Sequence, residues 1–268
     1  MFPQWVIDEG IISAKSPITF YLRFFERLNY NASDSIGLMS PANVGYFSSL
    51  NSKYNNLQVL RNWAEIKPKN HSTTLINIRE QYNLGDKVIY FYGGNIGHAQ
   101  DMNNLLRLVK KMVEYPRAHF LFIGQGDEFE LVRQTKAIEN LHNLTLLPSI
   151  SQEAYKEVLT QVDIGLFSLA KTHKAHNFPG KLLGYMLQSL PILGSVNKGN
   201  DVIDFINGEG AGWAFINGED DSLFNAALCL FNDREQRIAM GERGFEVLKA
   251  YFSVEAAAQQ IIHTVLKD

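Results

Sequence analysis

The sequence of 268 residues has one cysteine, Cys229, which excludes a disulfide framework and favours a reducing compartment. We expect its side chain to be buried as a small apolar group. The chain has no block of lysines and arginines, and its formal charge of −3 gives no overall attraction to nucleic acid. The start, MFPQWVIDEG, lacks the basic residues and apolar run of a signal peptide. Because no window approaches the roughly 20 apolar residues of a membrane span, we expect a soluble, cytoplasmic protein.

Hydrophobic residues make up 46% of the chain, which is enough to bury a sizeable core. From Lys87 onward, short apolar runs alternate with segments of helical periodicity. The runs are KVIYFYGG, AHFLFIGQG, LTLLP, VDIGLFSL, PILG and GAGWAFI. Strands that alternate with helices form a parallel sheet covered by helices on both faces. The sequence therefore predicts a doubly wound, Rossmann-like α/β domain over residues 65–250.

The remaining parts of the chain predict a second, smaller unit. Residues 1–64 contain two strand-like runs, DSIGLMS and NLQVLRNW, and two helix-like stretches. Two strands make too small a sheet to stand alone, so we interpret this segment as the end of a second α/β domain. Residues 251–268 predict a helix that begins at the good cap Ser253 and packs back on the first segment.

An aromatic stretch, SPITFYLRFFERLNY, stands out within that first segment. Its large apolar side chains fall on too many sides for a surface helix, which favours a helix buried between layers. A peripheral membrane contact remains the alternative. If sheet partners are missing, residues 18–30 should form an apolar patch beyond the few hundred Å² usual for monomers, which favours self-association.

Four loops follow predicted strands, and open parallel sheets bind ligands outside the carboxyl ends of their strands. Three glycines in GGNIGHAQD, residues 93–101, would let backbone amides approach an anion, and GQGDE, residues 124–128, forms a second tight turn. In HNFPGKLLG, Lys181 would lie in the first turn of a helix, near its positive end. The fourth loop is SVNKGND, residues 195–201.

Each loop alone is also typical of ordinary turns, and a Gly-Lys pair also begins ordinary helices. Because all four loops should meet at one sheet edge, together they favour a bound diphosphate. A dinucleotide is disfavoured, since Asp127 and Glu128 come too late for the acidic residue of that fingerprint, and no Walker loop occurs. His173 and His176 have no cysteine or close carboxylate beside them, so we predict no metal site and interpret both as loop histidines.

Four stretches of the chain carry a family resemblance by their order and spacing: FYGGNIGHAQDMNNLL, FLFIGQGDEFELV, NLTLLPSI and FPGKLLGYMLQSLPILGSVNKGND. They resemble the nucleotide-sugar domain of GT-B glycosyltransferases of family 4. Within that family, essentially the whole chain is similar to bacterial O-antigen and colanic acid enzymes of the WbuB type, the L-fucosamine transferases. The resemblance implies the GT-B fold.

The resemblance also implies which residues contact the sugar donor. Lys181 would be the catalytic residue, the cation that stabilises the departing diphosphate. Leu147 and Pro148 would lie near the nucleobase. The full set of predicted donor contacts besides Lys181 is Gly94, Asn95, Gly97, Gln100, Gly124, Gly126, Leu147, Pro148, His176, Pro179, Gly180, Asn200 and Asp201.

The sequence departs from the family pattern at two positions. Many relatives carry two glutamates eight positions apart, which contact the donor sugar and the ribose, and here these places hold His176 and Gly184. Asn197, Asn200 and Asp201 are the candidate substitutes.

The implied activity is retaining transfer of a sugar, N-acetyl-L-fucosamine in the WbuB type, from a UDP-sugar to a polyprenyl-diphosphate-linked glycan at the inner face of a bacterial membrane. No cofactor or bound metal is implied. The family pattern also includes an acceptor domain, of which about 100 residues or more would precede Phe2, so we expect the chain alone to be poorly active. The alternatives are a UDP-sugar epimerase of GT-B type and a non-catalytic fragment that binds nucleotide sugar.

Overall fold

The computed structural model describes residues 3–8, 10–66, 76–172, 176 and 178–266. The first part of the chain forms a small unit of two parallel strands and three helices. Its strands are β1 (Ile36–Leu38) and β2 (Leu57–Val59), and its helices are α1 (Gln4–Asp8), α2 (Pro17–Asn31) and α3 (Pro41–Leu50).

The rest of the chain builds one sheet of six parallel strands, in the order β5-β4-β3-β6-β7-β8. The strands are β3 (Val88–Asn95), β4 (Ala118–Gln125), β5 (Leu144–Pro148), β6 (Ile164–Ser168), β7 (Ile192–Val196) and β8 (Gly212–Ile216). The predicted α/β fold with a parallel sheet is confirmed. Successive strands run outward from β3 on one side and from β6 on the other, so the topological switch point lies between these two.

Helices cover both faces of this sheet. They are α4 (Ile78–Gln81), α5 (Met102–Lys111), α6 (Phe129–Ile138), α7 (Gln152–Leu159), α8 (Lys181–Leu187), α9 (Val202–Glu209), α10 (Asp220–Asn232) and α11 (Arg234–Tyr251). A further helix, α12 (Val254–Val265), follows α11. A short 3-10 helix, His98–Gln100, follows β3. Among the helices of the described residues, none has the length and apolar character needed to cross a membrane.

Two hydrophobic cores lie on opposite faces of the six-stranded sheet. Side chains alternate along a strand, so Ile89 and Phe91 of β3 join one core while Tyr90 and Tyr92 join the other. Burial on both faces explains why the strands are continuous apolar runs in the sequence.

Helix α2 turns its polar side toward the protein and its apolar side toward solvent. The expectation of a helix buried between layers is therefore wrong. Its buried residues are Thr19 and Glu26, and Glu26 accepts hydrogen bonds from Arg23 at 2.6 Å and from the Tyr30 hydroxyl at 3.1 Å. Six large apolar side chains are 45–67% exposed: Ile18, Phe20, Tyr21, Phe24, Phe25 and Leu28. The physical reason is that the polar side of α2 faces the protein, while the two-stranded sheet is too small to cover its other side.

Several hydrogen bonds join the small unit to the six-stranded unit. The Ala42 amide in the first turn of α3 donates to Asp201 Oδ2 at 2.9 Å. The Ala64 amide donates to the Phe252 carbonyl oxygen at 2.8 Å, and α12 then runs past β2, where Gln260 Nε2 donates to Gln58 Oε1 at 3.3 Å. The domain boundaries at residues 64 and 250 remain predictions.

Cys229 is exposed, so the expectation that it is buried is wrong. It lies on α10, whose inward side is formed by Leu223, Ala226, Ala227, Leu230 and Phe231. The apolar sequence around Cys229 therefore indicates that its neighbours are buried, whereas Cys229 itself is on the outer side of the helix.

Candidate functional site

A cleft of about 500 Å³ opens at the carboxyl ends of the strands, beside the switch point. Its walls come from the ends of β3 and β4, from the loop after β5 and from the first turns of α7 and α8. The residues that line it are Gly93, Gly94, Asn95, Ile123, Gly124, Gln125, Ser149, Ile150, Gln152, Tyr155 and Lys181. Of the predicted contacts, the structure brings Gly94, Asn95, Gly124 and Lys181 together in this cleft.

Lys181 carries an unusual amine. Its Nζ is buried, has no hydrogen-bond partner among the described residues and lies 3.4 Å from the centre of the Tyr92 ring. A Cβ built on Gly94 would be 3.8 Å from the same atom, so the amine lies against the end of β3. Burial lowers the pKa of Lys181 to about 7. A cation without a counter-charge at the wall of a cleft is suited to an anionic ligand.

The glycines of the cleft are required by close packing between β3 and β4. Gly94 stands opposite Gly124, and a Cβ on Gly124 would lie 1.8 Å from the Gly94 carbonyl oxygen. Gly94 has φ +117° and Gly126 has φ +150°, which other residues rarely adopt. These glycines therefore let two strand ends approach each other at the mouth of the cleft.

The glycine loop after β3 is held by residues that follow β4. The His98 amide donates to Asp127 Oδ1 at 3.2 Å, and the Met102 amide at the start of α5 donates to Glu128 Oε2 at 2.8 Å. Gly97 packs against Asp127, since a Cβ there would lie 2.7 Å from Oδ1. Asp127 and Glu128, which come too late for a ribose contact in a dinucleotide fingerprint, thus fix the loop.

The two ends of the loop are linked by a side-chain pair. Asn95 Nδ2 donates to Gln100 Oε1 at 2.6 Å, so Gln100, which does not itself line the cleft, is bonded to a residue that does. Their hydrogen bond closes the 3-10 turn between β3 and α5.

The loop after β5 forms the far wall of the cleft. Leu147 and Pro148 stand opposite Ile123 and Gly124 in the sheet. The two residues that follow them, Ser149 and Ile150, line the cleft instead. Ser149 Oγ donates to Gln125 Oε1 at 2.9 Å, which joins this wall to the end of β4.

Asn200 and Asp201 lie outside the lining of this cleft. Asn200 Oδ1 accepts from the Val202 amide at 3.1 Å, and Asp201 Oδ2 accepts from the Ala42 amide. Asp201 instead lines a separate cavity of about 320 Å³ together with Arg61 and Phe178. The structure therefore places Asp201 at the contact between the two units.

The turn before α8 is also tied to the small unit. The His176 carbonyl oxygen accepts from Asn43 Nδ2 at 2.6 Å, whereas His173 lies outside the described residues. Beyond Pro179, a Cβ on Gly180 would meet no atom of the described residues within 4 Å, and Gly180 is exposed. Helix α8 has seven residues, so the suitability of the turn for an anion rests on the Lys181 amine and not on a helix dipole.

Sequence reasoning missed the tyrosines of the site. The Tyr155 side chain packs on Gly93, where a Cβ would lie 2.4 Å from Tyr155 Cε2, and burial raises the pKa of Tyr155 to about 12. Tyr92 underlies Lys181. Tyr92 precedes the glycines of the quoted stretch FYGGNIGHAQDMNNLL, and that position could have indicated it, whereas Tyr155 belongs to α7 and reaches the cleft only through the packing of that helix. In the part of the chain that the structure describes, no group of three or more His, Cys, Asp or Glu residues could hold a metal ion.

Comparison with known proteins gives a family match over most of this unit. Residues 74–247 match the family model described as "Glycosyl transferases group 1". The probable glycosyltransferase WbjE of Pseudomonas aeruginosa is 24% identical over 217 residues, which is 80% of this chain and 53% of that protein. The putative colanic acid biosynthesis glycosyl transferase WcaI of Escherichia coli K12 is 26% identical over 145 residues, 53% of this chain and 35% of that protein. The chain thus spans about half or less of these two relatives.

Solved structures share the fold. WaaG, a glycosyltransferase involved in lipopolysaccharide biosynthesis, superposes with a TM-score of 0.71 at 11% identity, over 97% of this chain and 71% of that chain. HepE of Anabaena in complex with UDP-glucose gives 0.71 at 15% identity, over 94% and 70%. TarM gives 0.70 at 13% identity, over 91% and 46%.

Proposed function

The chain belongs to the group 1 glycosyl transferases, and from that premise we propose that its cleft binds the diphosphate of a nucleotide-sugar donor. The observation that carries the proposal is the buried Lys181 amine, which lies beside the glycines at the switch point and has no hydrogen-bond partner in the part of the chain that the structure describes. A diphosphate there would supply the missing acceptor and the missing counter-charge. The loop after β5, with Ser149 and Ile150, would then hold the nucleobase.

In the proposed reaction, an acceptor hydroxyl forms a bond to the anomeric carbon of the donor sugar as the bond from that carbon to the diphosphate oxygen breaks. The acceptor hydroxyl gives its proton to the departing diphosphate oxygen, and the nucleoside diphosphate leaves with the electron pair of the broken bond. Lys181 would stabilise the negative charge that grows on the departing diphosphate, which is the main catalytic task in such a transfer. We propose retention of configuration at the anomeric carbon.

The finer proposal concerns substrates. We propose a UDP-sugar, N-acetyl-L-fucosamine in the WbuB-like case, and a polyprenyl-diphosphate-linked glycan of O-antigen or exopolysaccharide biosynthesis, acted on at the cytoplasmic face of a bacterial inner membrane. Three similar proteins support this class: HepE is solved in complex with UDP-glucose, WcaI is named for colanic acid biosynthesis, and WaaG is involved in lipopolysaccharide biosynthesis.

Calorimetric titration with UDP, GDP and UDP-sugars tests the proposed site directly. We expect UDP to bind the wild-type chain, and Lys181→Ala to weaken binding by about 1.5–3 kcal/mol, the range for a charge-assisted hydrogen bond. Lys156→Ala is the matched control, because Lys156 is an exposed lysine of α7 that does not line the cleft.

Two results would contradict the proposal. Equal UDP affinity in Lys181→Ala and wild type would remove Lys181 from the site. Absence of binding by every nucleotide would leave an inert fragment, whereas binding together with turnover on a lipid-linked acceptor would support the transferase.

A further inference from the structure

Tyr92 occupies the last buried position of β3 before the glycines of the cleft. Its side chain is fully buried, and its ring meets the ring of Phe122 edge-on with centres 5.6 Å apart. The Tyr92 hydroxyl donates to the carbonyl oxygen of Asn95 at 2.5 Å. The hydroxyl therefore holds the backbone where β3 turns into the glycine loop.

The face of the same ring carries the Lys181 amine. The 3.4 Å between Nζ and the ring centre is a close cation–π distance, and such contacts strengthen when water is excluded. Within the described ranges Nζ has no hydrogen-bond partner, and the ring of Tyr92 is a group there that favours the charged form of the amine. One side chain thus touches both elements of the proposed diphosphate site, the lysine through its ring and the loop through its hydroxyl.

The two tyrosines beside Lys181 and Tyr92 carry no charge that could stabilise the charged amine. Tyr155 from α7 and Tyr185 from α8 are both phenols whose pKa burial raises, so they stay neutral. Burial raises the pKa of Tyr92, and the charge of the Glu128 carboxylate contributes to this rise. Glu128 itself accepts a hydrogen bond from the Met102 amide and lies 3.2 Å from His98 Nδ1. The lowered pKa of Lys181 has burial as its cause.

On the basis of the proposed donor site, we infer that Tyr92 is a positioning residue for the donor diphosphate. Its ring holds the Lys181 cation at the wall of the cleft, and its hydroxyl fixes the glycine loop opposite that cation. Tyr92 does not touch the diphosphate itself. It sets the distance between the two groups that do.

The first test separates the electronic role of the ring from its volume. Tyr92→Phe keeps the negative ring face, whereas Tyr92→pentafluorophenylalanine keeps the size and removes that face. NMR titration of the Lys181 side-chain carbon, assigned with Lys181→Arg, is followed without nucleotide. We expect the fluorinated variant to titrate about half a pH unit or more below Tyr92→Phe, because the charged amine loses its ring contact.

The matched control is Phe120→pentafluorophenylalanine. Phe120 is fully buried in the neighbouring strand, and its ring stacks on Tyr90 with centres 4.7 Å apart. This variant should leave the Lys181 titration at the wild-type position. A shift as large as that of the Tyr92 variant would mean that any perturbation of the core moves the amine, which would overturn the inference.

The second test measures UDP affinity between pH 7 and 9, where neutralisation of Lys181 should weaken binding as pH rises. We expect Tyr92→Phe to keep this pH profile with affinity a few-fold lower, and the fluorinated variant to move it to lower pH. Equal Lys181 titration in the two Tyr92 variants with intact UDP binding would overturn the positioning role alone. If the two Tyr92 variants show the ring effect but the wild type binds no UDP, the proposed function is overturned and this role with it.

Discussion

The six-stranded unit of this protein buries most of its large apolar side chains, whereas the small first unit leaves many of them exposed. In the large unit, both faces of the sheet are covered, and side chains such as Phe91 and Phe120 are fully buried. In the small unit, α2 turns Glu26 inward and leaves Phe20 and Phe24 at 67% and 58% exposure. The contrast teaches that an apolar pattern predicts a helix or strand, whereas burial depends on the presence of a sheet wide enough to cover it.

We expect the largest difference in stability between the two units from adding a single methyl group to one glycine in each. Gly124→Ala would place Cβ 1.8 Å from the Gly94 carbonyl oxygen, and we expect a loss of about 4 kcal/mol or more in the free energy of unfolding. Gly45→Ala in α3 is the matched change in the small unit, because a Cβ there meets no described atom within 4 Å. We expect it to raise the free energy of unfolding by about 0.5–1 kcal/mol, the difference in helix propensity between glycine and alanine. Urea unfolding measures both, and effects of equal sign would break the contrast.

The second prediction compares two phenylalanines. Phe120→Ala should cost about 3–5 kcal/mol, because it leaves a cavity in a closed core. Phe24→Ala should change the free energy of unfolding by less than about 0.5 kcal/mol and should reduce self-association, because Phe24 faces solvent. Thermal unfolding and light scattering are the measurements. A clean wild-type monomer at high concentration would contradict the second half.

The third prediction concerns Lys181, an exception to the closed core of the large unit. Lys181→Met should raise the free energy of unfolding at pH 7, on the order of 2–4 kcal/mol, because it removes a buried amine without a counter-charge. The lysine pKa is lowered from 10.5 to about 7 on folding, so between these values the unfolded chain binds the proton that the folded chain has released. Wild-type stability should therefore rise with pH in this window.

The matched measurement is urea unfolding of Lys181→Met and wild type at pH 7 and pH 10. The stability difference should shrink at the higher pH, since the unfolded chain then approaches its own lysine pKa of 10.5 and folding no longer has to remove a tightly held proton. If Lys181→Met is less stable than wild type at pH 7, the buried amine stabilises the folded protein and the prediction is wrong.

The smallest effect is expected at the contact that joins the units. Asp201→Ala removes the acceptor for the Ala42 amide and should cost about 1 kcal/mol, as does loss of a helix cap. Asp201→Asn keeps an acceptor oxygen and should stay close to wild type. Urea unfolding of the pair checks this, and equal losses would show that the charge matters more than the hydrogen bond.

The strands of the large sheet could be predicted from the sequence because each is buried on both faces and reads as a continuous apolar run. Lys181 could be singled out because Pro-Gly-Lys follows such a run. The pairing of Lys181 with Tyr92 could not be predicted, since β3 and α8 meet only through the strand order of the sheet. The position of Asp201 was missed for the same reason, because its partner Ala42 belongs to the other unit.

The orientation of α2 has a consequence for how the protein behaves in a cell and in the laboratory. An uncovered row of aromatic side chains is the kind of surface that holdase chaperones retain and that proteases of the quality-control system act on. Expression yield and shelf life of this chain should therefore be limited by α2, while the six-stranded unit sets its melting temperature. Replacing Phe20 and Phe24 with polar residues is a direct route to better-behaved preparations for the nucleotide-binding measurements.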